Sequence, residues 1–325
     1  MTRPARFGIM SRMPNSPPGR WTTARIPDQA GRTAIITGAS SGLGLATAEQ
    51  LARHGGHVIL AVRDLARGER AAAALVAGQP GASLQLRRLD VADLDSVREF
   101  AAGIHRDGVP VDLLVNNAGV MFPPRRLSPQ GHELQFATNH LGHFALTGLL
   151  LDRLRAGRDP RVVTVSSSVH RSGRIRFDDL TGARSYSRFG FYAQSKLANV
   201  LFGLELHRRL EAAGDPVRSL LAHPGYAATR LQTSGPTGLV RLLGRLGNRL
   251  VAQDAATGAL PQLYAATDPD ARSGQFIGPD RLFESRGHPT VVRPARAAED
   301  TATARRLWEV SEQLTGVRFD VPAGP

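Results

Sequence analysis

The chain has no cysteine, a single lysine, two tryptophans and four tyrosines among its 325 residues. Without cysteine there can be no disulfide, no thiolate nucleophile and no cysteine-based zinc centre, and the redox compartment is left open. No stretch reaches the roughly 18 apolar residues of a membrane span, and the N-terminal segment lacks the apolar core of a secretory signal. A soluble, cytoplasmic protein is expected. Acidic residues are also few: 28 Asp and Glu stand against 41 Lys and Arg, a formal net charge of +13. The arginines are scattered as singles and pairs, without the interleaved aromatic rings of a single-strand stacking platform. No nucleic-acid partner is expected.

The scarcity of lysine points to chemistry. Every cation but one is arginine, and the exception, Lys196, follows Tyr192 by four positions. Residues four apart share a helix face, so the two side chains can project into one space. A compact ammonium can do there what a planar, permanently charged guanidinium cannot. At about 4 Å and an effective dielectric of about 20, it favours a phenolate by about 4 kcal/mol, roughly three pK units before desolvation. A phenol that ordinarily titrates near ~10 then becomes an acid or base usable near neutrality.

Around this pair the chain reads as alternating strand and helix. Residues 1–28 are Arg- and Pro-rich, with Asp28 the first acid, and read as a flexible basic tail. From Gly31 onward, apolar strand runs at 33–37, 58–62, 84–89, 111–115, 162–165 and 217–222 alternate with helical patterns at 44–54, 65–77, 94–104, 134–154 and 191–213. The pattern predicts an α/β fold: one Rossmann-like doubly wound parallel sheet of about seven strands with helices on both faces. A single domain over 29–317 and a short C-terminal tail over 318–325 complete the organisation.

Between the first strand and helix lies Thr37-Gly38-Ala39-Ser40-Ser41-Gly42-Leu43-Gly44. Its glycines permit a tight turn and close backbone approach, while the helix start offers unpaired N–H groups to a pyrophosphate. The second strand ends in Val62-Arg63-Asp64. An acid there would bind a ribose 2′-hydroxyl and an arginine a 2′-phosphate. Arg63 comes first and Asp64 suits a helix cap, so NADP is favoured, with NAD possible.

Together the glycine pattern, Asn116-Asn117-Ala118-Gly119 after a strand, and Tyr192-x-x-x-Lys196 resemble the short-chain dehydrogenase/reductase family over about residues 31–317. Asn139-His140-Leu141-Gly142-His143-Phe144, with the separation of Ser167 from Tyr192, looks most like its retinol dehydrogenase and WW-domain oxidoreductase branch. The resemblance implies that Tyr192 exchanges a proton with the substrate oxygen, that Lys196 lowers the tyrosine pKa and binds the nicotinamide ribose, and that Ser167 polarises the carbonyl. Ser166 and Ser168 leave that last assignment open by one position. Asn139 would complete a proton relay. Cofactor contacts are implied for Gly38, Ser40, Ser41, Gly42, Leu43, Gly44, Arg63, Asp90, Val91, Asn117, Ala118, Gly119, Tyr192, Lys196, Pro224, Gly225 and Thr229.

Beyond Thr229, apolar residues such as Leu239, Leu242, Leu243 and Leu246 oppose Arg241, Arg245 and Arg249. In such enzymes this region, about 226–252, is a lid, and an apolar inner face suits a lipophilic alcohol or carbonyl. A basic amphipathic helix resting on an anionic membrane surface and ordinary helix packing are the rival readings. No metal is expected: His140 and His143 share a helix face, but His132-Glu133 has Phe136 where a zinc-protease motif needs its second histidine. His170 reads as a surface turn histidine, with a substrate-facing role as the alternative. Leu197, Val200, Leu201 and Leu204 suggest association into a homodimer or homotetramer. The expected activity is NADP-dependent interconversion of an alcohol and a carbonyl. The rivals are reduction of a carbon–carbon double bond and nucleotide sensing without turnover.

Overall fold

The structure is a computed structural model and describes residues 20–225 and 255–321. Strands β1 (Thr33–Thr37), β4 (Leu113–Asn116) and β5 (Arg161–Val165) are buried at every position, as strands covered by helices on both faces must be. β2 (His57–Val62) and β3 (Leu84–Arg88) extend the sheet on one side. β6 (Arg218–Ala222), β7 (Phe276–Arg281) and β8 (Arg286–Val292) extend it on the other. The order is β3-β2-β1-β4-β5-β6-β7-β8, with every neighbouring pair parallel except β7 and β8. The count exceeds the expected seven because β8 is an antiparallel edge strand. Pro289 and the polar residues around it interrupt the apolar run by which buried strands are recognised.

Successive strand residues point to opposite faces, and each face has its own core. Ile35 and Ile59 pack with Phe100, Phe144 and Trp308 on one side. Ile36 and Leu60 pack with Leu51 and Leu263 on the other. Helices α1 (Gly42–Arg53), α2 (Leu65–Gly78) and α7 (Ala255–Thr267) contribute to the second cluster; α3 (Leu94–Asp107), α4 (Gly142–Leu149), α6 (Arg188–Ala212) and α8 (Thr301–Thr315) contribute to the first. The long helix expected over 134–154 is broken. A short turn at Leu134–Phe136 leads into a wide π-type turn at Ala137–Leu141, then α4, a break at Leu150, and α5 (Leu151–Arg155). Such wide turns concentrate at functional sites. Gly142 belongs to this segment because a Cβ there would run into the Val91 carbonyl.

Described residues at both ends, placed by expectation in the tails, have packed side chains. Trp21 is 4% exposed, donates from Nε1 to Asp268 Oδ2 at 2.7 Å, and stands edge-on to Tyr264. Ile26 is buried as well, so the ordered fold starts before residue 28. At the other end the Phe319 ring lies 4.5 Å from that of Trp308, tilted by 55°. One ring buries enough apolar area to anchor a polar segment, a signal that averages over composition hide. Of the four residues that suggested association, Leu197, Val200 and Leu201 lie inside the chain's own core, and Leu204 is half-buried against it.

Candidate active site

β1 and β4 are neighbours, while the chain leaves them toward opposite sides of the sheet. The crevice at the carboxyl ends of such strands is where doubly wound sheets bind ligands. Gly38 and Gly42 sit there with φ of +70° and +58°, conformations that cost other residues strain. Gly44 is needed for space: a Cβ would lie 2.6 Å from Asn117 Nδ2 and 2.7 Å from the Gly38 carbonyl. α1 starts at Gly42, and the side chain of Ser41 makes no capping bond, which leaves first-turn N–H groups available. Thr37 joins the two strand ends. Its Oγ1 accepts from the backbone N–H of Asn117 and of Ala118, both at 2.9 Å, and its carbonyl accepts from Asn117 Nδ2 at 2.8 Å.

A cleft of about 230 Å³ opens over this junction. Its lining includes Gly38, Ser40, Ser41, Gly42, Leu43, Arg63, Asp90, Val91, Asn117, Ala118 and Gly119, all foreseen from sequence. Asp64, Arg67, Leu89, Val120 and Thr138 line it too and were missed. Arg67 was legible in principle, one turn beyond Asp64 on α2. Asp64 caps that helix by accepting from the Arg67 N–H at 3.0 Å, which leaves Arg63 and Arg67 at the rim. The Asp90 carboxylate accepts from the Ala92 N–H at 3.0 Å and so shapes the turn after β3. Gly44 lies behind the loop. Pro224 and Gly225 follow β6; Thr229 and the lid expected over 226–252 lie outside the described residues. The positive-φ glycines, the bare helix start and the two rim arginines fit a dinucleotide.

At the other end of the cleft, Gly119 meets the proposed catalytic cluster. A Cβ on Gly119 would lie 3.1 Å from Asn139 Oδ1 and 3.7 Å from Lys196 Nζ. The three serines differ in their partners. Ser166 donates to the Lys196 carbonyl at 2.8 Å, and Ser168 opens the turn Ser168–Ser172. The Ser167 side chain hydrogen-bonds the Tyr192 phenol. Lys196 is 4% exposed and donates from Nζ to the Val165 carbonyl at 3.2 Å, which Asn199 Nδ2 also reaches at 3.0 Å. Its Nζ stands over the Tyr192 ring, 5.8 Å from the centroid. The Asn139 side chain is occupied: Oδ1 accepts from the Val120 N–H at 2.8 Å, and Nδ2 donates to the Val120 carbonyl and to Ser195 Oγ.

The charge balance differs from expectation. The lysine was expected to pull the phenol toward neutrality, but burial pushes Tyr192 up to about 12, and the Ser167 hydrogen bond offsets this only in part. Burial likewise brings Lys196 down to about 8. Attraction between the two groups favours both charges, whereas desolvation penalises the charged form of each separately.

The histidines are structural in placement. His143 is buried between the Asn139 carbonyl at 3.1 Å and Thr37 Oγ1 at 2.9 Å. Burial holds it down to about 4, so it stays neutral; the carbonyl must accept, which makes Thr37 the donor to Nε2. His140 reaches Ser311 Oγ at 2.8 Å. His132 contacts the Leu314 carbonyl, while Glu133 accepts from the Phe136 N–H and Tyr186. His170 is not a surface residue. It is fully buried, bonded to the Ser167 carbonyl at 2.7 Å and accepting from the Ala295 N–H at 3.0 Å.

Comparison with known proteins agrees with this architecture. A family model described as short chain dehydrogenase matches residues 32–238. Retinol dehydrogenase 13 of Homo sapiens is 42% identical over 300 residues, covering 90% of this chain and 86% of that protein. Polyprenol dehydrogenase of Mus musculus is 41% identical over 297 residues, covering 90% and 86%. The crystal structure of an uncharacterized protein from Mycobacterium paratuberculosis superposes with a TM-score of 0.78 at 46% identity, over 93% of this chain and 99% of that one. The chain therefore belongs to the short-chain dehydrogenase/reductase family, within its retinol dehydrogenase branch.

Proposed function

We propose that this short-chain dehydrogenase uses NADP(H) to interconvert an alcohol and a carbonyl on a lipophilic small molecule, with Tyr192 as proton donor and acceptor. The observation that carries the reading is the placement of Lys196, whose Nζ lies beside Gly119 on the cleft and over the ring of Tyr192, the phenol that Ser167 adjoins. A dinucleotide would be held by the loop from Gly38 to Leu43 with Arg63 and Arg67, and would supply the hydride for reduction or take it up in oxidation. Arg63 and Arg67, on the rim beside the end of β2, support a preference for a 2′-phosphate.

Ser167 holds the carbonyl oxygen by its hydroxyl, and Tyr192 delivers the phenolic proton to that oxygen as it becomes an alkoxide. Because burial keeps the phenol protonated, Tyr192 is ready as a donor at neutrality. Oxidation needs the phenolate and so gains from rising pH. Lys196 stabilises the phenolate left behind, and Asn139 clamps the backbone at Val120 that borders the reacting centre. The apolar stripe beyond Thr229 and the relatives named for retinol and polyprenol support a lipophilic substrate. Among the described residues no helix is long and apolar enough to cross a membrane.

Oxidation of NADPH against NADH over a carbonyl panel, with deuterated cofactor, tests this reading. Preference for NADPH and deuterium on a carbinol carbon are expected. Deuterium on a newly saturated carbon–carbon bond, or cofactor binding without turnover, would replace it with one of its rivals.

A further inference from the structure

Phe122 is a bulky residue with a φ of +59°, a backbone state such side chains avoid. It stands three positions after Gly119, and its ring meets the Tyr192 ring edge-to-face at 5.2 Å. A second ring, Phe189, lies 6.0 Å from Phe122 at an interplanar angle of 39° and is 49% exposed. Three aromatic groups thus step from the buried proton donor to the surface.

The arrangement is built. The Phe122 N–H donates to Oε1 of the fully buried Gln135 at 2.9 Å, and Gln135 Nε2 donates to the Tyr186 hydroxyl and to the Arg188 carbonyl at 3.0 Å. Arg188 opens α6 immediately before Phe189, so one amide ties the strained residue to the helix turn that carries the second ring. Strain persists where the surroundings impose it, and it gathers at functional sites.

We infer that Phe122 and Phe189 are specificity-determining residues: an aromatic wall beside Tyr192 that grips the part of the substrate next to the reacting carbonyl and favours planar, conjugated groups over flexible saturated ones. The inference rests on the alcohol–carbonyl reading above. Rings offer faces and edges that a flat π-system meets without losing rotatable bonds, whereas a saturated chain must be ordered to fit.

Two aldehydes of equal carbon number, cinnamaldehyde and nonanal, provide the test, with NADPH as reductant. Phe122→Gly removes the ring while accepting the positive φ, and Phe189→Ala trims a half-exposed ring, so both variants are chosen to keep the fold; a thermal melt of each checks this. Each should lower kcat/KM for cinnamaldehyde by about 2- to 12-fold, mainly through KM, and change nonanal by less than about 2-fold. Equal losses on both aldehydes, or none on either, overturn the wall while leaving the alcohol–carbonyl reading intact. Failure of the unsubstituted enzyme to reduce either aldehyde counts against that reading and takes the wall down with it.

Discussion

The two ends of the cleft hold their cations in opposite ways. At the β2 end, Arg63 is exposed and Arg67 partly so; at the β5 end, Lys196 is 4% exposed and its pKa falls to about 8. A solvated guanidinium keeps its charge at little cost, and its pull on an anion is softened by water and salt. A buried ammonium is expensive to charge, and its surroundings have little dielectric to blunt its effect. The rim can therefore select between ligands, while the buried end can alter a reaction.

The sharpest way to break this contrast is at the phenol. Tyr192→Phe should lower turnover by about 10²- to 10⁴-fold and leave NADPH affinity, set by the rest of the cleft, nearly unchanged. Parallel losses in turnover and binding, measured by steady-state rates and fluorescence titration, would make Tyr192 a binding residue instead.

A smaller effect of opposite sign is expected in stability. The folded chain lowers the Lys196 pKa from 10.5 to about 8, so the unfolded chain binds more protons between those values and stability rises as pH climbs through that window. At neutral pH the buried charge costs about 3 kcal/mol. Lys196→Met should stabilise the protein by up to that amount while activity collapses, since Asn199 still serves the Val165 carbonyl. Denaturant melts at neutral and alkaline pH check this; the gain should shrink with alkalinity, and a destabilised variant would contradict it. Tyr192 works the other way, because its pKa rises from 10.0 to about 12 and stability falls as pH climbs between those values.

The least effect is expected at the rim. Arg63→Ser should raise KM for NADPH about 10-fold, leave NADH within about 2-fold, and narrow the difference as salt is added. Unchanged NADPH kinetics would leave Arg63 as one more surface arginine.

Much of the cofactor end was open to reading because its requirements are local. Gly38 and Gly42 need positive φ, Asp64 caps the helix it precedes, and the apolar strands announce themselves by run length. The residues proposed as catalytic were also legible as a motif. Their electrostatics were not, because the pKa of Tyr192 depends on how much protein surrounds it, which neighbouring sequence does not encode. The same holds for β8, whose edge position hides it from an apolar-run criterion, and for His170, which looks like a turn residue until Ala295 arrives from far along the chain.

Sequence alone determined the alternation of strands and helices as far as β6, the glycine cradle and the Tyr192–Lys196 spacing, because each depends on residues within a few positions of one another. Tertiary structure decided which serine faces the phenol, which leucines face the core, where Trp21 docks and which way the buried pair titrates. Those outcomes follow from packing among distant segments, which controls how far water is excluded and thereby the cost of every charge left inside.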